Sequence, residues 1–171
     1  MSKADYLVML NNDTQVTAGW LQTLMNHLRT DSTIGMIGPV TNNIGNEARI
    51  KIRYQNSSDM HRKARRYTLA HAGELLSMRT LAFFCVMLHR TVYEQVGPLD
   101  EAFGLGFFED DDYCRRVEKA GLRLVCAEDV FIHHELSASF NKLGKDRQAL
   151  LEKNRKIYEA KWGHWMPHRR R

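Results

Sequence analysis

Asp5-Tyr6-Leu7-Val8-Met9-Leu10-Asn11-Asn12-Asp13-Thr14 is the stretch whose reading decides the fold. Asp5 to Leu10 is short and mostly apolar, as a buried strand is, and it stops abruptly at Asn11-Asn12-Asp13-Thr14, which has the composition of a turn. In open α/β sheets, ligands gather just beyond the carboxyl ends of strands. A carboxylate flanked by amide oxygens at such a place offers hard oxygen ligands suited to Mg²⁺ or Mn²⁺. The same four residues serve equally well as a plain turn leading into a helix.

Working outward, Thr17 is placed to cap a helix whose buried stripe is Leu21, Leu24, Met25 and Leu28. Ile34 to Val40 reads as a short strand, and residues 41–55 as a long surface loop of the functional kind. A helix is expected over residues 59–76, a strand from Leu81 to His89, and a short helix from Thr91 to Val96, closed by Gly97-Pro98. The aromatic loop Phe103-Gly104-Leu105-Gly106-Phe107-Phe108 leads into Glu109-Asp110-Asp111-Asp112 and a helix burying Tyr113, Val117 and Ala120. Strands follow at Leu122 to Cys126 and Val130 to His133, then a last helix capped by Asp146. Strands alternating with helices argue α/β architecture, with residues 1–171 as a single domain.

Composition closes off several classes. With 43% hydrophobic and 26% charged residues in 171, the chain is neither disordered nor fibrous. Its longest apolar run, Leu81 to Leu88, falls far short of the roughly 20 residues that span a bilayer. Met1-Ser2-Lys3 leads straight into the first strand, so no secretory leader is read. Cys85, Cys114 and Cys126 are odd in number and widely spaced, which favours free thiols and a cytoplasmic setting. The net charge of +5 is concentrated in His61-Arg62-Lys63-Ala64-Arg65-Arg66 and in His168-Arg169-Arg170-Arg171. Residues 163–171 read as a flexible basic tail, and the basic runs keep open a peripheral contact with the inner face of a membrane.

Two further constellations could carry chemistry. Acidic residues in a first helical turn suit the helix dipole, but four in succession, Glu109 to Asp112, repel one another. Such crowding raises one carboxyl and leaves a poised base, or else builds a cation site. His133-His134 ends a strand, where alternation sends the two rings to opposite faces, so one imidazole can reach a metal and the other cannot.

Taken jointly, these pieces resemble family-2 glycosyltransferases. Residues 5–14 followed by Trp20-Leu21 resemble the segment carrying that family's Asp-x-Asp element. Phe84-Cys85-Val86-Met87-Leu88-His89-Arg90, with Gly97-Pro98-Leu99-Asp100-Glu101 and Phe103, is similar to its acceptor-side segment. Glu109 to Arg116 with Ala120-Gly121 is similar to its Glu-Asp catalytic element. His133-His134, Ser137, Ser139, Phe140, Asn154 and Lys161-Trp162 resemble its closing segment. The likeness is nearest to the rhamnosyltransferase-like branch.

That resemblance implies an inverting sugar transfer on a partial GT-A fold, a mixed sheet flanked by helices. Asp13 would hold a divalent metal, Mg²⁺ or Mn²⁺, with Asn11 nearby and His134 favoured over His133 as the imidazole ligand. Asp110 would be the general base. Asn12, Glu109, Asp112, Phe107, Phe108 and Trp162 would contact donor or acceptor. The implied partners are a UDP, dTDP or GDP sugar and a glycan or lipid-linked glycan acceptor. In the family the Asp-x-Asp element follows the first strands and the nucleotide pocket, whereas here it stands at position 13. The expectation is a fold lacking its N-terminal nucleotide-binding strands, inactive by itself, with an exposed sheet edge that invites self-association.

Three other readings stay open on the residues alone. A metal-dependent phosphoryl-transfer site would need carboxylates on two cations about 4 Å apart. A nucleic-acid-binding module would use the two basic runs, although these lack interleaved aromatics and no nucleic-acid partner is expected. A degenerate glycosyltransferase could serve as a scaffold.

Overall fold

The computed structural model describes residues 3–135 and 144–171. Its strands are β1 (Tyr6–Leu10), β2 (Thr14–Val16), β3 (Ile34–Val40), β4 (Leu75–Met78), β5 (Cys85–His89) and β6 (Arg123–His134). Its helices are α1 (Trp20–Thr30), α2 (Ser57–Ala70), α3 (Arg90–Val96), α4 (Glu109–Lys119) and α5 (Gly144–Trp162), with a 3₁₀ turn at Glu101–Phe103. The sheet runs β1-β5-β3-β6-β2, and β4 also pairs with β6. The pairing is mixed: β3 and β6 are parallel, while β5 is antiparallel to both β1 and β3.

This topology fixes which ends meet. β1 and β3 both run opposite to β5, so they run together, and β6 runs with β3. The carboxyl ends of β1, β3 and β6 therefore share one end of the sheet with the amino end of β5. Every residue of β3 is buried, so its two faces serve two cores. Ile34 and Ile37 pack with Leu24 and Leu28 of α1. Met36 and Val40 pack with Met60 and Ala64 of α2 and with Tyr113, Cys114 and Val117 of α4. Gly35 lets α4 approach, because a Cβ there would sit 2.5 Å from Val117 Cγ1 and 2.7 Å from Leu122 Cβ. With Val117 near the start of β3, the acidic amino end of α4 points toward the carboxyl end of the sheet.

Several local expectations are corrected. Thr17 does not cap α1: its hydroxyl donates to Phe131 O (2.6 Å), and Gly19, with φ 80°, stands at the cap. The helix expected over 59–76 ends at Ala70, and Leu75–Met78 instead form β4 against β6. The strand expected from Leu81 begins at Cys85. The two strands expected over 122–133 are one strand, β6, irregular where its register on β3 jumps from Pro39↔Ala127 to Val40↔Phe131. Asp146 lies inside α5, which starts at Gly144.

Cys85, Cys114 and Cys126 are free and buried. No helix among the described residues is long and apolar enough to cross a membrane. β1 is an edge strand, with Val8 36% and Leu10 42% exposed. Residues 163–171 lie back along the surface: Trp165 and His168 reach Asp111, and Arg171 pairs with Glu128.

Candidate functional site

Asp13 is positioned by the turn that ends β1. Asn11 N donates to Phe84 O (2.8 Å), and the Thr14 hydroxyl donates to Asn11 O (2.7 Å). The chain then enters β2, which pairs Thr14 with His134 at the end of β6, and Glu135 N closes the ladder on Asp13 O (3.0 Å). Strand ends far apart in sequence thereby bring the Asp13 carboxylate to His134, with Oδ1 3.4 Å from Nε2.

The imidazole is tightly oriented. Its Nδ1 lies 3.0 Å from Asn43 O, a group that can only accept, so Nδ1 carries a hydrogen and Nε2 is the ring nitrogen turned toward Asp13. Asn42 brackets the same residue, accepting from His134 N (2.9 Å) and donating to His134 O (3.2 Å). Phe84 stacks on the ring at 5.1 Å and 21°. An imidazole whose far nitrogen is bonded to a backbone carbonyl is how metal-binding histidines are held. Two donors each about 2.1–2.2 Å from one cation and roughly at right angles lie about 3 Å apart, so the observed pair fits a shared divalent ion. Among the described residues, no three His, Cys, Asp or Glu side chains converge as a metal cage. The donor set thus fits an ion that takes its remaining ligands from water and phosphate, as Mg²⁺ and Mn²⁺ sites often do.

Of the two histidines, the structure sets only His134 against Asp13. His133 faces the other way, where its Nδ1 meets the Tyr54 hydroxyl and its Nε2 lies 3.8 Å from Glu135 Oε1. Asn11 and Asn12 have exposed side chains at the mouth of the turn. Asn42, Asn43 and Phe84 were missed as parts of the site. The long 41–55 loop was the only signal for the first two, and neither its composition nor its length shows which residues grip the imidazole.

The second region is the first turn of α4. Phe107 and Phe108 precede it with φ of 68° and 71°, a left-handed conformation that costs a non-glycine residue about 1–3 kcal/mol. Buried Asn154 of α5 holds the loop in place, its Nδ2 donating to Phe103 O (2.6 Å), Gly106 O (2.7 Å) and Phe107 O (3.1 Å). Phe108 is buried against Phe103 and Tyr158, and half-buried Phe107 joins the edge of that cluster.

The four acids divide into two pairs. Asp111 is buried and accepts from the Thr80 hydroxyl (2.8 Å), Trp165 Nε1 (3.2 Å) and His168 Nε2 (2.9 Å). Its carboxylate holds the His168 imidazole above its ordinary basicity. Asp112 is fully buried and satisfied by Arg116 Nε (3.0 Å), Trp162 Nε1 (2.8 Å) and Lys161 Nζ (2.5 Å). Asp112 and the Trp162 indole, both expected at the substrate, join α4 to α5. Glu109 and Asp110 have no cation within ion-pair distance among the described residues, although the His168 charge acts on Asp110 from further off. Burial raises Glu109. Burial first, then repulsion from Asp111 and Glu109, raises Asp110 to about 7, opposed by a bond from Asp111 N to its Oδ1 (2.9 Å).

One segment connects the regions. Residues 80–84 touch α4 at their start, through Thr80 to Asp111 and Leu81 N to Cys114 Sγ (3.2 Å), and they reach Asn11 and His134 at their end through Phe84. Ser137, Ser139 and Phe140 lie outside the described residues.

Comparison with known proteins bears on the fold and the family. No curated protein matches the chain. Among solved structures, the crystal structure of GalNAc-T7 with UDP, GalNAc and Mn²⁺ superposes with a TM-score of 0.55 at 13% identity, covering 92% of this chain. The chain spans 34% of the length of that protein, and the likeness at this identity is one of fold, a partly covered GT-A fold. The profile of glycosyl transferase family 2 matches residues 1–97, which include Asp13, Asn42, Asn43 and Phe84 but not α4 or His134. With more than half of its residues matched, the chain belongs to glycosyltransferase family 2.

Proposed function

We propose that this chain carries the metal corner and the catalytic base of an inverting glycosyltransferase, moving a sugar from a nucleotide donor to a hydroxyl of a glycan or lipid-linked glycan. The observation that carries the reading is the pairing of Asp13 with His134 Nε2 at the sheet end toward which the amino end of α4, which carries Asp110, is directed. A nucleoside diphosphate leaves with negative charge, and a divalent cation held there would neutralise it, in place of an acid. The solved neighbour's UDP and Mn²⁺ support that choice of ligand class.

The protein's own residues supply the rest. Asp110, raised to about 7, is basic enough at neutral pH to take the proton of the attacking hydroxyl. As that proton moves to the carboxylate, the hydroxyl oxygen bonds to the anomeric carbon from the face opposite the leaving group. The bond to the diphosphate breaks with its electron pair, and the configuration inverts. Asp111 and Asp112, held by their own donors, leave Asp110 with Glu109 as the carboxyls free for chemistry. The sequence resemblance to the rhamnosyltransferase-like branch supports rhamnose or another hexose as the transferred sugar.

The test is Asp110→Asn in a donor-hydrolysis and transfer assay with Mn²⁺, run on this chain extended by the N-terminal nucleotide-binding strands that the resemblance implies, since this stretch alone is expected to be inactive. The amide keeps the shape but cannot take a proton, so the rate should fall roughly 10²–10⁴-fold while Mn²⁺-dependent UDP binding stays as it was. An unchanged rate would remove Asp110 from the mechanism.

A further inference from the structure

Behind the metal corner lies an open cleft that the reaction above does not use, lined by Asn42, Asn43, Arg49, Ile52, Arg53, Tyr54 and His133. Its wall is an extended segment that alternates like a strand. Ala48 and Ile50 are buried, Ile52 and Tyr54 pack on the same core, and Arg49, Lys51 and Arg53 are exposed. Such a pattern fixes the backbone and turns the cations outward together. Among the described residues, neither Arg49 nor Arg53 has a carboxylate within ion-pair distance, although eight other Lys and Arg residues do.

The acid near this cleft is Glu135, 80% exposed and 3.8 Å from His133 Nε2. The His133 ring, whose Nδ1 meets the Tyr54 hydroxyl, also lines the cleft. Asn42 and Asn43 belong to this wall and also grip His134, so the cleft and the Asp13–His134 corner are two sides of one partition.

Guanidinium forks beside an apolar floor suit the oxygens of a phosphate or carboxylate. We propose that Arg49 and Arg53 form an anion subsite adjoining the metal corner, which takes a phosphate or carboxylate group of a substrate. Two sources share that chemistry: the diphosphate of the donor and an acidic group on the acceptor. The naming of those sources rests on the glycosyltransferase reading, whereas the existence of the subsite does not.

The test is calorimetric titration of the whole chain, free of divalent cations, with inorganic pyrophosphate and separately with glucuronate. Wild type, Arg49→Ala/Arg53→Ala and Arg49→Lys/Arg53→Lys are compared at low and high salt. Wild type should bind at least one of these anions, less tightly at high salt, and the alanine pair should weaken it about tenfold or more. The lysine pair should recover part of that loss, and all three proteins should melt at the same temperature because both arginines are exposed. Loss of pyrophosphate binding assigns the subsite to the donor, and loss of glucuronate binding alone assigns it to the acceptor. No binding of either anion by wild type, or equal binding by wild type and the alanine pair, overturns the proposal. Asp13→Ala separates the two claims. It should bind pyrophosphate as wild type does without metal, and it loses Mn²⁺-dependent UDP binding only if the glycosyltransferase reading holds.

Discussion

The Asp13–His134 corner and the first turn of α4 are both acidic places at one end of one sheet, yet they are built by opposite means. The corner is assembled by long-range pairing: β2 on β6 sets the register, Asn42 and Asn43 hold the imidazole, and Phe84 covers it. The α4 turn is assembled locally, from four consecutive acids whose mutual repulsion is relieved unevenly. Asp111 and Asp112 are given donors, and Glu109 and Asp110 are left without a cation at ion-pair distance among the described residues. The difference separates two tasks. A ligand for a cation needs a fixed lone pair, which backbone pairing and a bonded Nδ1 provide. A base needs raised proton affinity, which burial and like charge provide.

The contrast can be broken or sharpened by substitution. Asp13→Ala should weaken Mn²⁺-dependent UDP binding about 10²-fold, measured by calorimetry, without moving the titration of Asp110. If Asp13→Ala left that binding intact, the corner would not be a metal site. A smaller effect is expected from pH. Transfer should fall about tenfold per unit as the medium drops below about 7, where Asp110 is protonated, and level off above it.

The same group has a sign in stability. A carboxyl raised from 3.8 to about 7 by the fold favours the native state when protonated, so its contribution is full below about 4 and lost as pH rises through about 7. Asp110→Asn should therefore raise the melting temperature more at pH 8 than at pH 4. A larger gain at pH 4 would show that Asp110 is not held above its ordinary value.

The smallest effect concerns His168, raised by its bond to Asp111. Its contribution is present below about 6.5 and lost as pH rises past its raised value. His168→Ala should cost about 1 kcal/mol in denaturant unfolding at pH 6 and less at pH 9. Equal costs at the two values would mean that no ion pair forms there.

How much of this was legible beforehand follows from the same contrast. Local features read well in part: β3 has the bounds that its apolar run implies, β1 starts one residue inside its run and is a half-exposed edge strand rather than a buried one, and the acidic run at the head of α4 stands out in the chain. Features set at a distance did not. Alternation says that His133 and His134 face opposite ways, but only the pairing of β6 with β2 says which one meets Asp13. The likeness of the four acids hid their division of labour, because Trp162, Lys161, Trp165 and His168 come from α5 and beyond. The first half of β4, Leu75-Leu76, was expected in a helix because Leu75-Leu76-Ser77-Met78 carries no strand signal of its own and becomes a strand by pairing with β6. Thr17 shows the reverse error, a good capping residue whose hydroxyl was claimed by the carbonyl of Phe131.

The central claim is that Asp13 and His134 Nε2 can hold one ion between them. Pulsed electron paramagnetic resonance of Mn²⁺ bound with UDP measures directly whether an imidazole nitrogen coordinates the metal. The account predicts a directly coordinated ¹⁴N signal that persists in His133→Gln and disappears in His134→Gln. A signal lost with His133 and kept without His134, or no nitrogen coupling in the wild type, would contradict it.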